Sequence, residues 1–469
     1  SDVYKRQLPH SAVPLDGVAA LDHLSVWDCY LSHVPTGRDV PHRFQSRWIQ
    51  VYSELLHDCN AAVEAGDELA IERALKWQLA GHQLFLRLDC GKRAGRRWED
   101  SMTRRFALWD AREYRSLVAD WRRDVEGALE ADGSMIGDKP LLEEAVRLIH
   151  EGCVTKAMKL LEGSGLGDLD LPAIRAQLES KHPQERQEWL KAADDAPGMG
   201  RVELPNLFDT LKDLPRNAGT GADRFRMEYL RCGARGSIAE PVRQSFFSEL
   251  RSFGDLVVNG DLPPWYYHVY STLVQFAPIK EEGASPAEHD VRPVGMGGSV
   301  KRMFDKARSA MAKSQVCATC EPTQLAAGTR GGCQSFGMQV TLALALAPDF
   351  VCLQIDLRNA FNECNRRDVC AAAGRPGFAD ANLRRYLECH LQPRARIYYN
   401  GGGHWRRMPY RSVEGTVQGS TIGGGWGFNM VVQDIWDKAN ERLQAAGGHV
   451  LLRDDETPDP EREARRGML

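Results

Sequence analysis

Asp356 ends the apolar run Val351-Cys352-Leu353-Gln354-Ile355. A buried strand that delivers a carboxylate at its C-terminal end can present it to a divalent cation, because hard cations take oxygen ligands. The following residues, Leu357-Arg358-Asn359-Ala360-Phe361-Asn362, read as a turn into a helix. Capping that helix is the other task open to the same carboxylate. Further along, Glu414-Gly415-Thr416-Val417-Gln418-Gly419-Ser420-Thr421-Ile422 continues through Gly423, Gly424 and Gly425 into a second helical pattern. Glycines here let main chain come close to a base pair or a phosphate, and Gln418 can hydrogen-bond a nucleotide; an ordinary loop is the alternative. Cys317 and Cys320 form the chain's single CxxC. Without a second pair at fitting spacing they read as core cysteines rather than zinc ligands.

These groups need elements to hold them. Apolar and β-branched runs predict strands over 273–278, 350–355 and 396–399, with Asn400-Gly401 as a hairpin turn. The 3.6-residue period predicts helices over 224–230, 241–257, 300–312, 332–346 and 427–445. Strands and helices mixed in this order give an α+β class. The part from about 58 to 178 is helical throughout: Tyr114, Leu117, Trp121 and Val125 fall on one face, and 141–149 and 155–161 flank Gly152 as a helix pair. Arg96, Arg97, Arg104, Arg105, Arg122 and Arg123 are interleaved with acids there, the pattern of a solvated helix face. Pro197, Gly198, Gly200, Pro205 and Pro215 break the helical pattern and mark a boundary near residue 200.

Composition narrows the classes. With 469 residues, 43% hydrophobic, 26% charged and 8% aromatic, the chain is globular and not collagen-like, disordered or a small disulfide scaffold. Its longest apolar run, about 340–346, is broken by Pro348 and Asp349 and falls short of the roughly 20 residues a membrane span needs. Twelve cysteines scattered from Cys29 to Cys389 suit a reducing compartment. The net charge of −4 gives no overall pull on polyanions, so a nucleic-acid partner must use local patches. Two exist: residues 292–313 carry six basic groups against one acidic, and 366–411 carry ten against three. Tyr398, Tyr399 and Trp405 are interleaved with the second, either to stack on bases or to pack a hairpin. Residues 1–7 read as a non-native leader, and the end at Arg466-Gly467-Met468-Leu469 as that of a fragment.

Six blocks then stand in one order: Gly221-Ala222-Asp223-Arg224 with Leu230-Arg231; Ala277-Pro278-Ile279-Lys280; Val291-Arg292-Pro293-Val294 through Gly298-Ser299-Val300; Gln324 to Gly332; Asp356 with Asn359-Ala360-Phe361-Asn362; and Gly415-Thr416-Val417-Gln418-Gly419. The series resembles that of reverse transcriptases of the non-LTR retrotransposon type over about residues 200–435, and Lys181-His182-Pro183 ends a segment similar to the helices that often precede them.

The resemblance implies a right-hand polymerase: a mostly α-helical N-terminal region over 8–200, fingers over 201–347, and a truncated palm over 348–469 with no thumb. It implies RNA-directed DNA synthesis from dNTPs on an RNA template and DNA primer, with two Mg2+ ions as cofactor. By family position Asp356 is the first metal ligand, Lys280 and Arg292 neutralise the triphosphate, Phe361 is a gate against the ribose 2′ hydroxyl, and Gln418 and Gly419 line the base-pair pocket. Surface solvation is the other account of Lys280 and Arg292, and core packing of Phe361. The second acidic pair of the family falls on Asp454 and Asp455, also read as metal ligands. There the expected aromatic is missing, and Thr457-Pro458-Asp459-Pro460-Glu461 cannot form a return strand. A solvated acidic tail, or degradation of the reading frame, is the alternative. Ser420 replaces a common aspartate, and Gly423 to Gly425 replace a Pro-Leu-Gly-Pro-like sequence. A degenerate, non-catalytic relic that keeps RNA binding is the competing expectation. An intron maturase shares the core but needs an extension this sequence does not show.

Overall fold

In β5 (Ala395–Gly401) the residues alternate between buried Ile397 and Tyr399 on one face and Arg396, Tyr398 and Asn400 on the other, as the two-residue repeat of a strand requires. The computed structural model that shows this describes residues 19–89, 96–130, 146, 149–150, 158, 165–184, 201–216, 218–320, 323–324, 331–346, 357–373, 381–391, 394–401, 404–417 and 420–446. These form a mixed α and β fold, mostly helical, with a small mixed sheet. Among them no helix is long and apolar enough to cross a membrane. The chain divides into two compact units.

The first unit takes its described residues from Ser1–Ser180, Val202–Phe304 and Pro393–Ser412. Its helical part is built on Gln45–Ala65 and Glu68–Leu86. Gly66 ends the first of these in the left-handed conformation, its N–H donating to the carbonyls of Ala62 and Val63, and Asp67 then caps the second by accepting from the N–H groups of Leu69 and Ala70. The helices Arg96–Asp110, Tyr114–Glu130 and Glu240–Asn259 complete this part. Tyr114, Leu117, Trp121 and Val125 are all buried, as their period predicts.

Residues on both sides of position 200 meet in this unit: the Trp48 indole N–H donates to the Tyr229 carbonyl at 2.9 Å, and His82 Nε2 lies 2.6 Å from the Asp223 carbonyl oxygen. Not all of the N-terminal arginines are solvated. Arg87 and Arg105 are fully buried and share Asp89, Asp120 and Asp124 in an ion network.

The sheet of the first unit has the order β4-β1-β5-β6, where β1 is Leu273–Phe276, β4 is Val294–Gly297 and β6 is His404–Ser412. β1 runs antiparallel to β4 and parallel to β5. A separate pair joins β2 (Ile279–Glu281) to β3 (Asp290–Val291). Ile174, Leu178, Ala277, Val291, Ile397, Tyr399, Met408 and Tyr410 form one apolar cluster.

The second unit takes its described residues from Lys181–Arg201, Asp305–Gln392 and Val413–Leu469. It contains the helices Gly332–Leu346, Ala360–Glu363, Arg366–Ala372, Ala381–Leu391 and Phe428–Ala445, and the helix Ser299–Cys320 from Asp305 onward. The Tyr386 hydroxyl donates to the Asp305 carboxylate, the Trp426 indole to the Ser309 hydroxyl, and Gln324 Nε2 to the Gln433 side-chain oxygen at 2.7 Å. Cys320 is buried in the helix it shares with Cys317, and burial, then Cys317 and Asp437, push its thiol up to about 12. The expected strand over 350–355 and most of the helices over 141–149 and 155–161 lie outside the described residues.

Candidate functional site

In the second unit, sequence blocks far apart along the chain are joined through their main chain. Asn359 adopts φ 54°, a left-handed conformation that asparagine tolerates better than most residues, and the single-turn helix Ala360–Glu363 follows. The side-chain amides of Asn359 and Asn362 both donate to the carbonyl of Lys181, at 2.9 and 3.0 Å. On the other side of the turn, the Gly415 N–H donates to the Cys364 carbonyl at 2.9 Å and the Thr416 N–H to the Phe361 carbonyl at 2.7 Å. Gly415 sits at φ +74°, and a β-carbon there would fall 2.4 Å from the Asn362 Cα and carbonyl oxygen. Only glycine permits both that backbone and that approach.

Buried Arg366 locks the seam. Its Nε donates to the Gly415 carbonyl and its Nη1 to the Leu391 carbonyl, each at 2.7 Å, while its main-chain N–H reaches the Glu414 carboxylate at 3.4 Å. Phe361 is half-buried, its ring 4.7 Å from that of Phe428 between centroids. Burial, then Asp368 and Glu414, push the Cys364 thiol up to about 12, so it is no nucleophile near neutral pH. Ser420 caps the π-type turn Thr421–Gly427 by accepting from the Gly423 N–H at 3.1 Å.

Lys280 and Arg292 belong to the first unit, Lys280 within β2 and Arg292 directly after β3. Ile279 pairs with Val291, and both pack on the apolar cluster. Lys280 and Arg292 are exposed, and because the pair is antiparallel they lie on opposite sides of the Ile279–Val291 pairing. The main chain fixes their spacing, since the Arg292 N–H donates to the Pro278 carbonyl at 2.8 Å. The Lys280 ammonium is 3.8 Å from Asp290 and 3.9 Å from Glu281. Arg292 makes no ion pair among the described residues.

Asp356, Gln418, Gly419, Asp454 and Asp455 lie outside the described residues. Among the described residues no group of three or more His, Cys, Asp or Glu side chains is placed to hold a metal ion. The blocks containing Phe361 and Gly415 are thus brought together, and those containing Lys280 and Arg292 are joined through the β2–β3 pair.

The basic runs sort into two kinds. Arg308 and Arg366 are buried and unavailable to an external phosphate. Arg406 is paired with Asp170 at 3.1 Å. Arg396, Arg407 and Arg411 instead share one face of the β5–β6 hairpin, with Arg396 opposite Arg411 and Arg407 opposite Tyr398. Tyr398 and Tyr399 are buried and pack the hairpin, which is the alternative to base stacking. The Trp405 indole donates to the Ser32 carbonyl at 2.9 Å and lies under Arg224.

Sequence reasoning missed Arg366 and Phe428. Arg366, Val369 and Cys370 are one helical face and all three are buried, so the i, i+3, i+4 spacing in the helix Arg366–Ala372 was the available signal. Neither a scan against protein-family models nor a search of curated proteins finds a match to this chain.

Proposed function

We propose that the chain carries the fingers and palm of an RNA-directed DNA polymerase of the retroelement type. The observation that supports this best is the seam between Phe361–Cys364 and Gly415–Thr416. Asp356 is five residues before Phe361, and Gln418 and Gly419 follow Thr416 closely. The seam joins the described residues that follow the one in sequence to those that precede the other, and the proposed chemistry needs the carboxylate and the glutamine at one nucleotide. When bound, Mg2+ supplies the charge that activates a primer 3′ hydroxyl and steadies the departing pyrophosphate, and Asp356 with Asp454 and Asp455 would hold it.

Each remaining role belongs to the chain's own side chains. Lys280 and Arg292, both exposed on the β2–β3 pair, suit the negative groups of a triphosphate: an ammonium supplies point charge and a guanidinium two parallel donors. Phe361, half-buried and braced by Phe428, offers a flat apolar edge of the kind that discriminates a deoxyribose from a ribose. Primer extension by the chain on an RNA template with a DNA primer, dNTPs and Mg2+ tests the reading. Incorporation that disappears in Asp356→Ala is the expected result. Equal incorporation by both proteins, or none by the parent chain, overturns it, and the second of these favours a non-catalytic relic.

A further inference from the structure

We propose that the Arg396–Arg407–Arg411 face of the β5–β6 hairpin binds the phosphate backbone of a nucleic-acid duplex. The inference rests on charge and burial in the first unit and does not need the polymerase reading.

Arg396 and Arg411 are directly opposite across β5 and β6, and like charges so placed destabilise a strand pair. Arg407 and Arg411 are exposed and Arg396 half-exposed. None of the three makes an ion pair among the described residues, although other arginines of the unit do, including Arg406 on the same strand. Partial burial, and after it the charges of Arg407, Arg396 and Arg394, push the Arg411 guanidinium below its ordinary value. His268 beside them is lowered by partial burial and then by Arg411 and Arg396. Among the described residues the face is thus a mutually repulsive set of cations with no carboxylate paired to it. A phosphate between two guanidiniums accepts charge-assisted hydrogen bonds from both and turns the repulsion into attraction.

The aromatic residues decide which form of nucleic acid fits. An unpaired strand is held largely by bases stacking on open rings. Here Tyr398 is buried, the Arg396 guanidinium covers the Trp27 ring at 3.7 Å, and Trp405 is engaged by Ser32 and Arg224. No ring among these is open as a platform. A duplex, whose bases already stack on one another, needs only the backbone contacts that the arginines supply.

The test is fluorescence anisotropy of the whole chain with three probes: a 20-base-pair duplex of mixed sequence, an unpaired thymidine 20-mer, and a polyglutamate of matched charge. The duplex binds tightest. Arg407→Gln/Arg411→Gln weakens duplex binding about 10-fold or more near 0.1 M salt and lowers the slope of log affinity against log salt by about 2, since each lost phosphate contact removes about 0.9. Arg407→Lys/Arg411→Lys restores most of the slope and confirms that the hairpin folds. A control with the same charge change elsewhere, Arg43→Gln/Arg122→Gln, removes residues paired with Glu99 and Glu126 and leaves the slope unchanged. An unchanged slope in the first variant, equal or tighter binding of the unpaired strand or of polyglutamate, or no duplex binding at all overturns the proposal. Duplex binding without nucleotide incorporation leaves it standing and removes the polymerase reading.

Discussion

The Thr416 N–H donates to the Phe361 carbonyl at 2.7 Å, although the two residues stand 55 positions apart in the sequence. Because the bond is between main-chain groups, it fixes where both segments run whatever their side chains do. The substitutions that disturb the seam are therefore those that change backbone conformation or the space it needs.

Gly415→Ala is the most direct. Its positive φ is costly for alanine, and the added methyl meets Asn362 backbone rather than a yielding side chain. Strain of this kind costs about 1–3 kcal/mol, and relief of the contact by opening the seam is expected. Chemical denaturation should show the loss, and amide exchange should show faster exchange at Thr416 than in the parent. Undiminished protection at Thr416 would mean that the seam tolerates a side chain.

Phe361→Ala probes the proposed sugar gate. Removing an apolar wall of this size changes discrimination by roughly 10–200-fold, so the preference for dNTP over rNTP should fall within that range. The ratio of kcat/KM values for the two nucleotides is the measurement. Loss of incorporation with both nucleotides in equal proportion would instead assign Phe361 to support of the fold through Phe428.

Asp120→Ala isolates the buried ion network. Asp120 lies 2.6 Å from Arg87 and 2.8 Å from Arg104, and its removal leaves Arg87 and Arg105 short of counter-charge inside the protein. Burial, then Arg87, already lowers the Arg105 guanidinium to about 10. Breaking a buried pair from one side costs about 3–5 kcal/mol. Glu99→Ala, which frees the more exposed Arg43, should cost about 1 kcal/mol or less. Comparable losses in the two variants would show that the network is effectively solvated.

Asp223 and His82 give opposite pH dependences. Burial raises Asp223 to about 7, so between about pH 4 and 7 the folded protein keeps a proton that the unfolded chain has released, and stability falls as pH rises through that window. Burial lowers His82 to about 4, so stability falls as pH drops from about 6.5 to 4. The two oppose each other over most of the range. Asp223→Asn keeps an acceptor for the Phe225 N–H and removes only the titration. Relative to the parent it should match near pH 4 and gain progressively toward pH 7, measured as unfolding free energies in urea. A constant difference across that range would argue against a buried proton on Asp223.

The sequence was most informative where a single period governed a segment. The helices Glu240–Asn259, Gly332–Leu346 and Phe428–Ala445 and the strand β1 follow from local spacing, whereas Asn400 and Gly401, expected as the hairpin turn, are paired in β5 with Trp405 and His404. What local spacing cannot carry is pairing between distant segments. The burial of Arg105 depends on Asp89 from before its own helix and on Asp120 and Asp124 from the helix Tyr114–Glu130, and the seam at Gly415 depends on Asn362. Nor could charge counts tell buried Arg366 from exposed Arg407, since both stand in basic runs and only the helix face of the one and the strand face of the other differ.

Strand order also sets a timetable for synthesis. Leu273 of β1 pairs with Ile397 of β5, so the middle of the sheet cannot close until the ribosome has made more than a hundred further residues, which takes on the order of ten seconds. During that interval β1 has only β4 beside it and leaves an edge unpaired. A nascent chain of this protein is therefore most vulnerable to aggregation while residues 298–394 are being translated, and slowing translation there should lower the yield of folded product.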